Sequence, residues 1–404
     1  MLKQSTINIV KSTAPLISEK GELFTQHFYK RMFSNNPEVL PFFNQSNQHS
    51  GTQQRALSSA IIAYANNIDN LSVLDSAIDV IVHKHVSLQI KEEQYPIVGD
   101  NLIGTIKEVL GDAATEEVLT AWTEAYWFLA DLLIEAEKKV YAKNANQKGG
   151  WEGFRDFIVS KKVKESDNIT SFYLIPKDGK ELSEFSAGQY ITVQVPTKDG
   201  STTMRNYSLS DISSKDYFRI SIKKEVCENK QHNGYVSNFF HDKLKENDIV
   251  KVAPPCGEFI LKTDSKKPLV LLAGGVGITP VLSMLKTAIS LGTNREIILI
   301  HGSYNPNFHA FKNETTELSN KHSNLIVHYC YDKVTEEYKL ANNESEGFIS
   351  GEIIEKLCNV KDADYYFCGP KIFMKNIYKQ LIDWNILASQ INFEFFGPKE
   401  ELTN

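Results

Sequence analysis

Two stretches of the chain carry residue types spaced for holding phosphates and rings, and one histidine stands where a metal could be ligated. The first stretch is Ala273-Gly274-Gly275-Val276-Gly277-Ile278-Thr279-Pro280, which follows the apolar run Leu269 to Leu272 and precedes a helical run from Val281. Strand, glycine loop and helix in that order form a phosphate-binding arrangement. The glycines let backbone N–H groups approach an anion, Thr279 can cap the helix, and Pro280 suits its first turn, so that the helix N-terminus faces a pyrophosphate. The loop lacks the third glycine of the usual dinucleotide fingerprint, and a structural turn has the same spelling. The second stretch is Arg205-Asn206-Tyr207-Ser208. On a strand, Arg205 and Tyr207 share a face and offer a cation for a phosphate and a ring for stacking, while Ser208 can donate a hydrogen bond. Such residues suit a flavin, although taken alone they equally describe an edge-packed ring and a solvated charge. The histidine is His85, in His83-Lys84-His85-Val86 behind an apolar helical stretch. A lone helical histidine is ordinarily a surface or satisfied core residue, because ligation needs a supporting shell.

Three textures of sequence must position these residues. From Ser5 to about Asn144 the pattern is helical: Phe24, Phe28 and Met32 recur at four-residue spacing, as do Val118, Trp122 and Tyr126. Asn36-Pro37-Glu38 and Thr115-Glu116-Glu117 read as helix starts, each with a capping residue and an acid in the first turn. The polar run from Asn144 to Gly150 marks the end of this region. Beyond it the period changes to 2, with Ile169 to Ile175, Gln189 to Val195, Tyr217 to Lys223 and Ile249 to Val252 as short strands of a small barrel. From Lys266-Lys267-Pro268 onward, buried-type strands alternate with helical stretches: Leu269 to Leu272, Ile297 to His301, Leu325 to Tyr329 and Tyr365 to Cys368. That alternation predicts a parallel sheet with crossover helices. The expected organisation is an all-α domain over 1–146, an antiparallel β-barrel over 151–264 and an α/β domain over 265–404.

Composition narrows the function classes. The 404 residues carry 44 Lys and Arg against 50 Asp and Glu, a formal charge of −6, which offers no basic surface for a phosphate backbone, so nucleic acid is not an expected partner. The longest apolar stretch, Pro268 to Leu282, is broken by Gly274, Gly275, Gly277 and Pro280, so no membrane span is expected. The N-terminus shows no basic, apolar, small-residue leader, which predicts a cytoplasmic protein. Cys227, Cys256, Cys330, Cys358 and Cys368 are odd in number and never form a Cys-x-x-Cys pair, so reduced thiols used in packing are expected.

From about Gly153 to Asn404 the chain resembles the ferredoxin–NADP reductase family. Its members carry an Arg-x-Tyr-Ser flavin motif, a Gly-Gly-x-Gly-x-Thr-Pro nicotinamide loop and a late Cys-Gly-Pro, and all three occur here in order, the last as Cys368-Gly369-Pro370. The resemblance implies that Tyr190, in Gly188-Gln189-Tyr190, contacts FAD together with Arg205, Asn206, Tyr207 and Ser208. It also implies that Gly234-Tyr235-Val236-Ser237 starts a helix holding the flavin pyrophosphate, with Ser237 a sensible N-cap. NADH or NADPH would be held by Gly274, Gly275, Val276, Gly277, Ile278 and Thr279, with no ribose-binding acid or phosphate-binding arginine standing out to choose between them. Glu394-Phe395-Phe396-Gly397, followed by Pro398, resembles the family's C-terminal aromatic segment, so Phe396 would stack on the isoalloxazine. Cys368 would line a pocket rather than act as a nucleophile, since no positioned base is visible near it.

Upstream, Tyr29, Phe43, Gln53 and Leu57 together with His85 resemble a globin. The resemblance makes Phe43 the aromatic wedge against the porphyrin of heme b, places Gln53, Leu57 and Tyr29 on the distal side, and makes His85 the proximal ligand. A globin placed before a flavin and nicotinamide reductase is the organisation of the flavohemoglobin family, and the resemblance runs from Thr6 to Pro398, linker Gly149 to Gly153 included. The expected fold is thus multidomain: an all-α globin, a Greek-key antiparallel β-barrel FAD domain and an α/β parallel-sheet nicotinamide-binding domain.

In that family a tyrosine and a glutamate support the proximal histidine. Tyr95, in Gln94-Tyr95-Pro96, matches the tyrosine, and Glu135 and Glu137 are both candidates for the glutamate. Counting back along the helix, Glu137 lines up with Leu133, Ala130 and Tyr126, whereas Glu135 lines up with Asp131, Phe128 and Glu124. Glu137 therefore shares the inward line, where a carboxylate must be hydrogen-bonded. Lys84 is expected to contact the flavin domain. The family's activity would be nitric oxide dioxygenation, with nitric oxide and dioxygen converted to nitrate at the haem by electrons from NAD(P)H through FAD. No obligatory protein partner is expected. The rivals are a dioxygen-binding or sensing haemoprotein, although no segment for an output domain remains after Pro398, and a haem-based nitric oxide or peroxide reductase.

Overall fold

The structure, a computed structural model, describes residues 2–43, 52–227 and 233–397, without the side chains of residues 52 and 53. Gln53, as a side chain, and Pro398 therefore lie outside the described residues. The chain divides into two compact units: residues 1–147 with 151–153 and 194–204, and residues 148–150, 154–193 and 205–404.

Residues 1–147 of the first unit are helical where described because their apolar residues recur every three to four positions and bury a single stripe of each helix. Helix α1 spans Gln4–Asn35 and breaks at Gly21; α2 spans Thr52–Asn66, α3 Asp75–Ser87, α4 Gln94–Leu110 and α5 Glu116–Asn146. Phe24, Phe28, Met32 and Trp122 meet in its core. Each such side chain contributes about 1.5–3 kcal/mol when fully buried. The indole N–H of Trp122 donates to Thr13 Oγ1 at 2.8 Å, so α5 is also tied to α1 by a buried polar contact. Thr115 caps α5 as expected, its side chain accepting from the Val118 N–H. Asn36 behaves differently. The segment after it is a 3₁₀ turn, Pro37–Phe42, and the Asn36 side chain binds the Glu38 carboxylate instead of a backbone N–H. Pro41 removes a donor and clashes with the carbonyl four residues back, which stops an α-helix from forming. Among the described residues no helix is long and apolar enough to cross a membrane.

Six strands form the barrel sheet: β1 Arg155–Lys164, β2 Ile169–Pro176, β3 Tyr190–Pro196, β4 Thr202–Ser208, β5 Phe218–Lys223 and β6 Ile249–Val252. Their order is β4-β3-β6-β1-β2-β5, with β1 antiparallel to β2 and β6, and β2 antiparallel to β5. The two edges meet just past β4, where Leu209 bridges Ile220 of β5 and the Ser210 N–H donates to the Arg219 carbonyl at 2.8 Å. That bridge closes the sheet on itself.

A second sheet holds β7 Leu269–Gly274, β8 Ile297–Ser303, β9 Leu325–Tyr331, β10 Glu344–Glu346, β11 Asp364–Cys368 and β12 Ile391–Glu394. All its pairings are parallel, in the order β10-β9-β8-β7-β11-β12. Parallel strands need crossovers, and helices Ile278–Ser290, Lys312–Lys321, Gly351–Leu357 and Lys371–Asp383 supply all but the one from β9 to β10, where residues 332–343 connect without a helix. The chain lays β8, β9 and β10 to one side of β7, then returns to lay β11 and β12 on the other. Strand order thus reverses between β7 and β11, and the crevice beyond the carboxyl ends of those two strands is where such sheets bind ligands. Four of the five cysteines are buried, as packing thiols should be; Cys227, in the connection after β5, is exposed.

Candidate functional site

Helix α5 turns Glu137 inward, where it is 3% exposed, while Glu135 lies outside with its side chain 68% exposed and paired to Lys138. The buried carboxylate receives two hydrogen bonds on one oxygen. Tyr95 OH donates to Glu137 Oε1 at 2.5 Å, and His85 Nδ1 lies 2.8 Å from the same atom and 3.2 Å from the Tyr95 hydroxyl. A carboxylate only accepts, so Nδ1 carries the imidazole proton and Nε2 is the ring nitrogen with a lone pair to offer. Burial, and then the neighbouring carboxylate, push the Tyr95 phenol well above its ordinary range, which keeps it a donor. His85 sits in the last turn of α3 and Tyr95 in the first turn of α4. Lys84, beside His85, is exposed.

Two residues that the sequence reading gave no role hold this triad in place. Tyr126 OH donates to the Tyr95 carbonyl at 2.5 Å, and Tyr141 OH donates to the Ile90 carbonyl at 2.6 Å. The Ile90 N–H in turn donates to the His85 carbonyl at 3.0 Å. Both tyrosines stand on α5, one before and one after Glu137; Tyr126 shares the inward line of the carboxylate, which was the available signal. Elsewhere in the unit Tyr29 is buried and meets Phe43 edge-on at 5.7 Å, and both belong with Leu57 to the same apolar cluster. Among the described residues no group of three or more His, Cys, Asp or Glu could cage a metal. The donor set, a supported imidazole in a unit that also holds an aromatic and aliphatic cluster, fits an iron porphyrin.

In the barrel, Arg205, Asn206, Tyr207 and Ser208 form the carboxyl half of β4. Asn206 Oδ1 accepts from Thr192 Oγ1 at 2.8 Å, and the Tyr207 ring tilts against Phe240 at 6.0 Å. Burial lowers the Arg205 guanidinium and raises the Tyr207 phenol, so Arg205 is a half-buried cation beside the Tyr207 ring. Tyr190, at the start of β3, is buried. The helix α6, Tyr235–Asp242, is capped by Gly234, and Ser237 lies three positions inside it. Ser237 is therefore no N-cap: its hydroxyl donates to the Gly234 carbonyl at 3.0 Å and accepts from the Glu225 N–H at 3.2 Å, which ties the helix start to the preceding chain.

The glycine loop lies at the carboxyl end of β7. Gly275–Gly277 form a 3₁₀ turn that runs directly into helix α7, Ile278–Ser290. Thr279 is consequently inside the helix and does not cap it, its hydroxyl donating back to the Val276 carbonyl at 3.0 Å. The helix starts earlier than expected because the glycine turn supplies its first carbonyls. Cys368-Gly369-Pro370 leave β11 next to this loop, across the switch point. A Cβ at Gly277 would come within 2.1 Å of the Cys368 carbonyl oxygen, so only glycine allows the two loops this approach. Cys368 itself is fully buried, its thiol pushed well above the usual range by burial and then by Glu394. Glu394 pairs with Cys368 in the sheet, which brings Phe395, Phe396 and Gly397 out at the same end; Phe396 is 50% exposed.

The globin family matches residues 26–133, the oxidoreductase FAD-binding domain residues 156–260 and the oxidoreductase NAD-binding domain residues 271–379. The flavohemoprotein of Halalkalibacterium halodurans is 44% identical over 405 residues, spanning 100% of this chain and 98% of that protein. That of Bacillus cereus is 46% identical over 404 residues, spanning 100% of both. Among solved structures, the flavohemoglobin from Malassezia yamatoensis with bound FAD and heme superposes with a TM-score of 0.86 at 27% identity, covering 98% of this chain and 100% of that one. The flavohem-like FAD/NAD binding domain of nitric oxide dioxygenase from Vibrio cholerae gives a TM-score of 0.55 at 31% identity over 60% of this chain and 99% of that one. A globin, a FAD-binding oxidoreductase domain and a NAD-binding domain in one chain, matched end to end by relatives of this identity, make the protein a member of the flavohemoprotein family.

Proposed function

We propose that the protein is an NAD(P)H-dependent nitric oxide dioxygenase, converting nitric oxide and dioxygen to nitrate and so removing nitric oxide. The observation that carries the reading is the buried Glu137 carboxylate bonded at once to His85 Nδ1 and Tyr95 OH, in a chain that also holds FAD- and NAD-binding domains. The nitric oxide dioxygenase of Vibrio cholerae, whose flavin and nucleotide domain is 31% identical, supports it. When bound, heme b would supply the iron centre for the oxygen chemistry, and FAD would turn the nicotinamide's two-electron delivery into single electrons.

The chain's own residues prepare that chemistry. His85 would ligate the iron through Nε2, with its proton held at Nδ1 by Glu137. A negative, buried partner makes the imidazole a stronger electron donor than a backbone carbonyl would, which suits oxygen activation over simple carriage. Tyr95 supports the carboxylate and cannot take its place as an anion, because its phenol stays protonated. Phe43 and Leu57 would wall the porphyrin, and Tyr29 and Gln53 would hydrogen-bond the distal ligand. In the second unit Tyr190, Arg205, Asn206, Tyr207, Ser208, Gly234 and Ser237 would hold FAD, with Arg205 meeting its phosphate. The loop Gly274 to Thr279 and Cys368-Gly369-Pro370 would take the nicotinamide nucleotide, and Glu394 to Pro398 would border it, with Phe396 lying over the flavin ring. Lys84 would serve the flavin side of the haem domain. Domain limits of 1–146, 151–264 and 265–404 belong to this reading.

The test is nitric oxide consumption by the purified holoprotein on adding NADH, with and without dioxygen, while nitrate and the visible spectrum are followed. Rapid loss that requires dioxygen, with nitrate formed in proportion, is expected. Slow loss beside a stable oxygenated spectrum would assign the protein to dioxygen binding and remove the catalytic roles of Tyr29, Gln53, Tyr95 and Glu137.

A further inference from the structure

The carboxyl end of β8 carries a histidine that no part of the nucleotide reading uses. His301 is 1% exposed, and its Nε2 lies 3.0 Å from the carbonyl oxygen of Gly275 in the glycine loop. A carbonyl only accepts, so Nε2 bears the proton. Burial pushes the His301 imidazole down to about 4, leaving it neutral with one N–H to give. The same carbonyl also accepts from the Ile278 N–H, so two donors fix its direction, one in the helix and one beneath the loop.

Fixing that carbonyl fixes more than itself. The described peptide bonds are all trans. In a trans peptide the C=O and the following N–H point opposite ways, so a Gly275 carbonyl held along the helix axis and down onto His301 sends the Val276 N–H out from the helix start. Gly275 needs a second hold, because its φ of +52° lies in the region that favours glycine, and glycine visits many other conformations at little cost. His301 is itself braced. The His309 ring stands edge-on to it at 4.7 Å, and His309 Nδ1 is 2.8 Å from Tyr331 OH, which reaches Glu344 Oε1 at 3.3 Å. His309 is 5% exposed, and among the described residues no partner reaches its Nε2, which places this second imidazole as a wedge of shape more than a relay.

We propose that His301 is a positioning residue of the nucleotide site: its Nε2–H anchors the Gly275 carbonyl and thereby aims the Val276 amide at the pyrophosphate of NADH or NADPH. The inference rests on the proposed binding of that nucleotide at the switch point. It predicts that affinity for the pyrophosphate half of the cofactor, not the rate of chemistry, depends on a donor at this position.

The experiment uses the full chain loaded with FAD and haem. ADP-ribose, which carries the pyrophosphate without the nicotinamide, is titrated by calorimetry, and KM and kcat for NADH are measured with ferricyanide as acceptor. One hydrogen bond corresponds to a change of roughly 2–13-fold in affinity. His301→Leu should weaken ADP-ribose binding and raise KM by about 5–10-fold with kcat within about twofold, and His301→Gln, which keeps an amide N–H at similar reach, should restore both to within about twofold. Binding by His301→Leu at the natural level, or equal losses in the Leu and Gln variants, overturns the proposal. Should His301→Leu not fold, His301→Asn replaces it, being too short to reach the carbonyl, and equal affinities for Asn and Gln overturn the proposal in the same way. If the natural protein fails to bind ADP-ribose, the nucleotide reading falls and takes this inference with it; natural binding with an unaffected variant removes only the role of His301.

Discussion

Gly277→Ala tests whether the switch point between β7 and β11 is where the nucleotide is held. The added Cβ would stand 2.1 Å from the Cys368 carbonyl oxygen, 2.4 Å from its carbon and 2.7 Å from the Gly369 nitrogen. All three are backbone atoms at the end of a fully buried strand, so no side chain can rotate away, and the loops must part by about an ångström to regain van der Waals contact. Overpacking of this kind costs about 1–3 kcal/mol. Misplacement of a bound substrate by about 1 Å lowers rates on the order of 100-fold. The expected result is a lower melting temperature for the nucleotide domain and flavin reduction by NADH about 100-fold slower in anaerobic stopped flow, with haem and FAD contents unchanged. Gly292→Ala, just past the far end of α7, is the control. Its Cβ meets nothing within 4 Å, so only the φ of +64° opposes it, at about 1 kcal/mol. If Gly277→Ala melts and reduces flavin like the natural protein, the close approach of the loops does not organise the site.

Glu137→Gln should cost about 1.5–3 kcal/mol and slow nitric oxide turnover, since a charged acceptor of two buried hydrogen bonds is lost. Glu135→Gln removes only an exposed pairing with Lys138 at 3.4 Å and should change stability by less than about 0.5 kcal/mol; the reverse order in turnover would reject the assignment of the carboxylate. Acid should unfold the nucleotide domain through His301 and His309. Both are held below the ordinary histidine range by burial, His301 at about 4, so between about pH 6.5 and 4 the unfolded chain binds the extra protons. Stability is then full above that window and falls by about 3 kcal/mol for His301 alone on crossing it, and a flat unfolding energy from pH 7 to 4 would contradict the burial argument. Phe396→Ala, at a half-exposed ring, should leave stability within about 0.5 kcal/mol and yet alter the rate of flavin reduction; an unchanged rate returns the ring to ordinary packing.

Periodicity made the helical unit, four barrel strands and four strands of the parallel sheet legible, because burial acts on every residue of an element and leaves a repeated signal. Glu137 was legible for the same reason, since a helix face is a local property. Strand β1 escaped the reading because its pairing slips between Val159 and Lys161, which breaks the alternation of period 2. Thr279 and Ser237 were misread as caps because helix starts depend on where the backbone turns, and a glycine turn or a lone Gly234 can begin a helix ahead of a hydroxyl residue. His301 left no trace in its own neighbourhood. Its partner is 26 residues away, joined through a sheet pairing that only the folded chain supplies.

Helix α5 carries Tyr126, Glu137 and Tyr141, the three donors and acceptors that hold the proximal side together, on one uninterrupted rod. Substitution along its outer face, at Asp131, Glu135 or Lys138, leaves that alignment intact. Change of length does not. One residue inserted between Tyr126 and Glu137 turns everything beyond it by about 100°, and seven inserted residues restore the angle only by displacing the carboxylate about 10 Å along the axis. This stretch of gene is therefore free to drift in spelling while remaining closed to insertions and deletions, so that a count of codons, more than the identity of most of them, is what inheritance must preserve there.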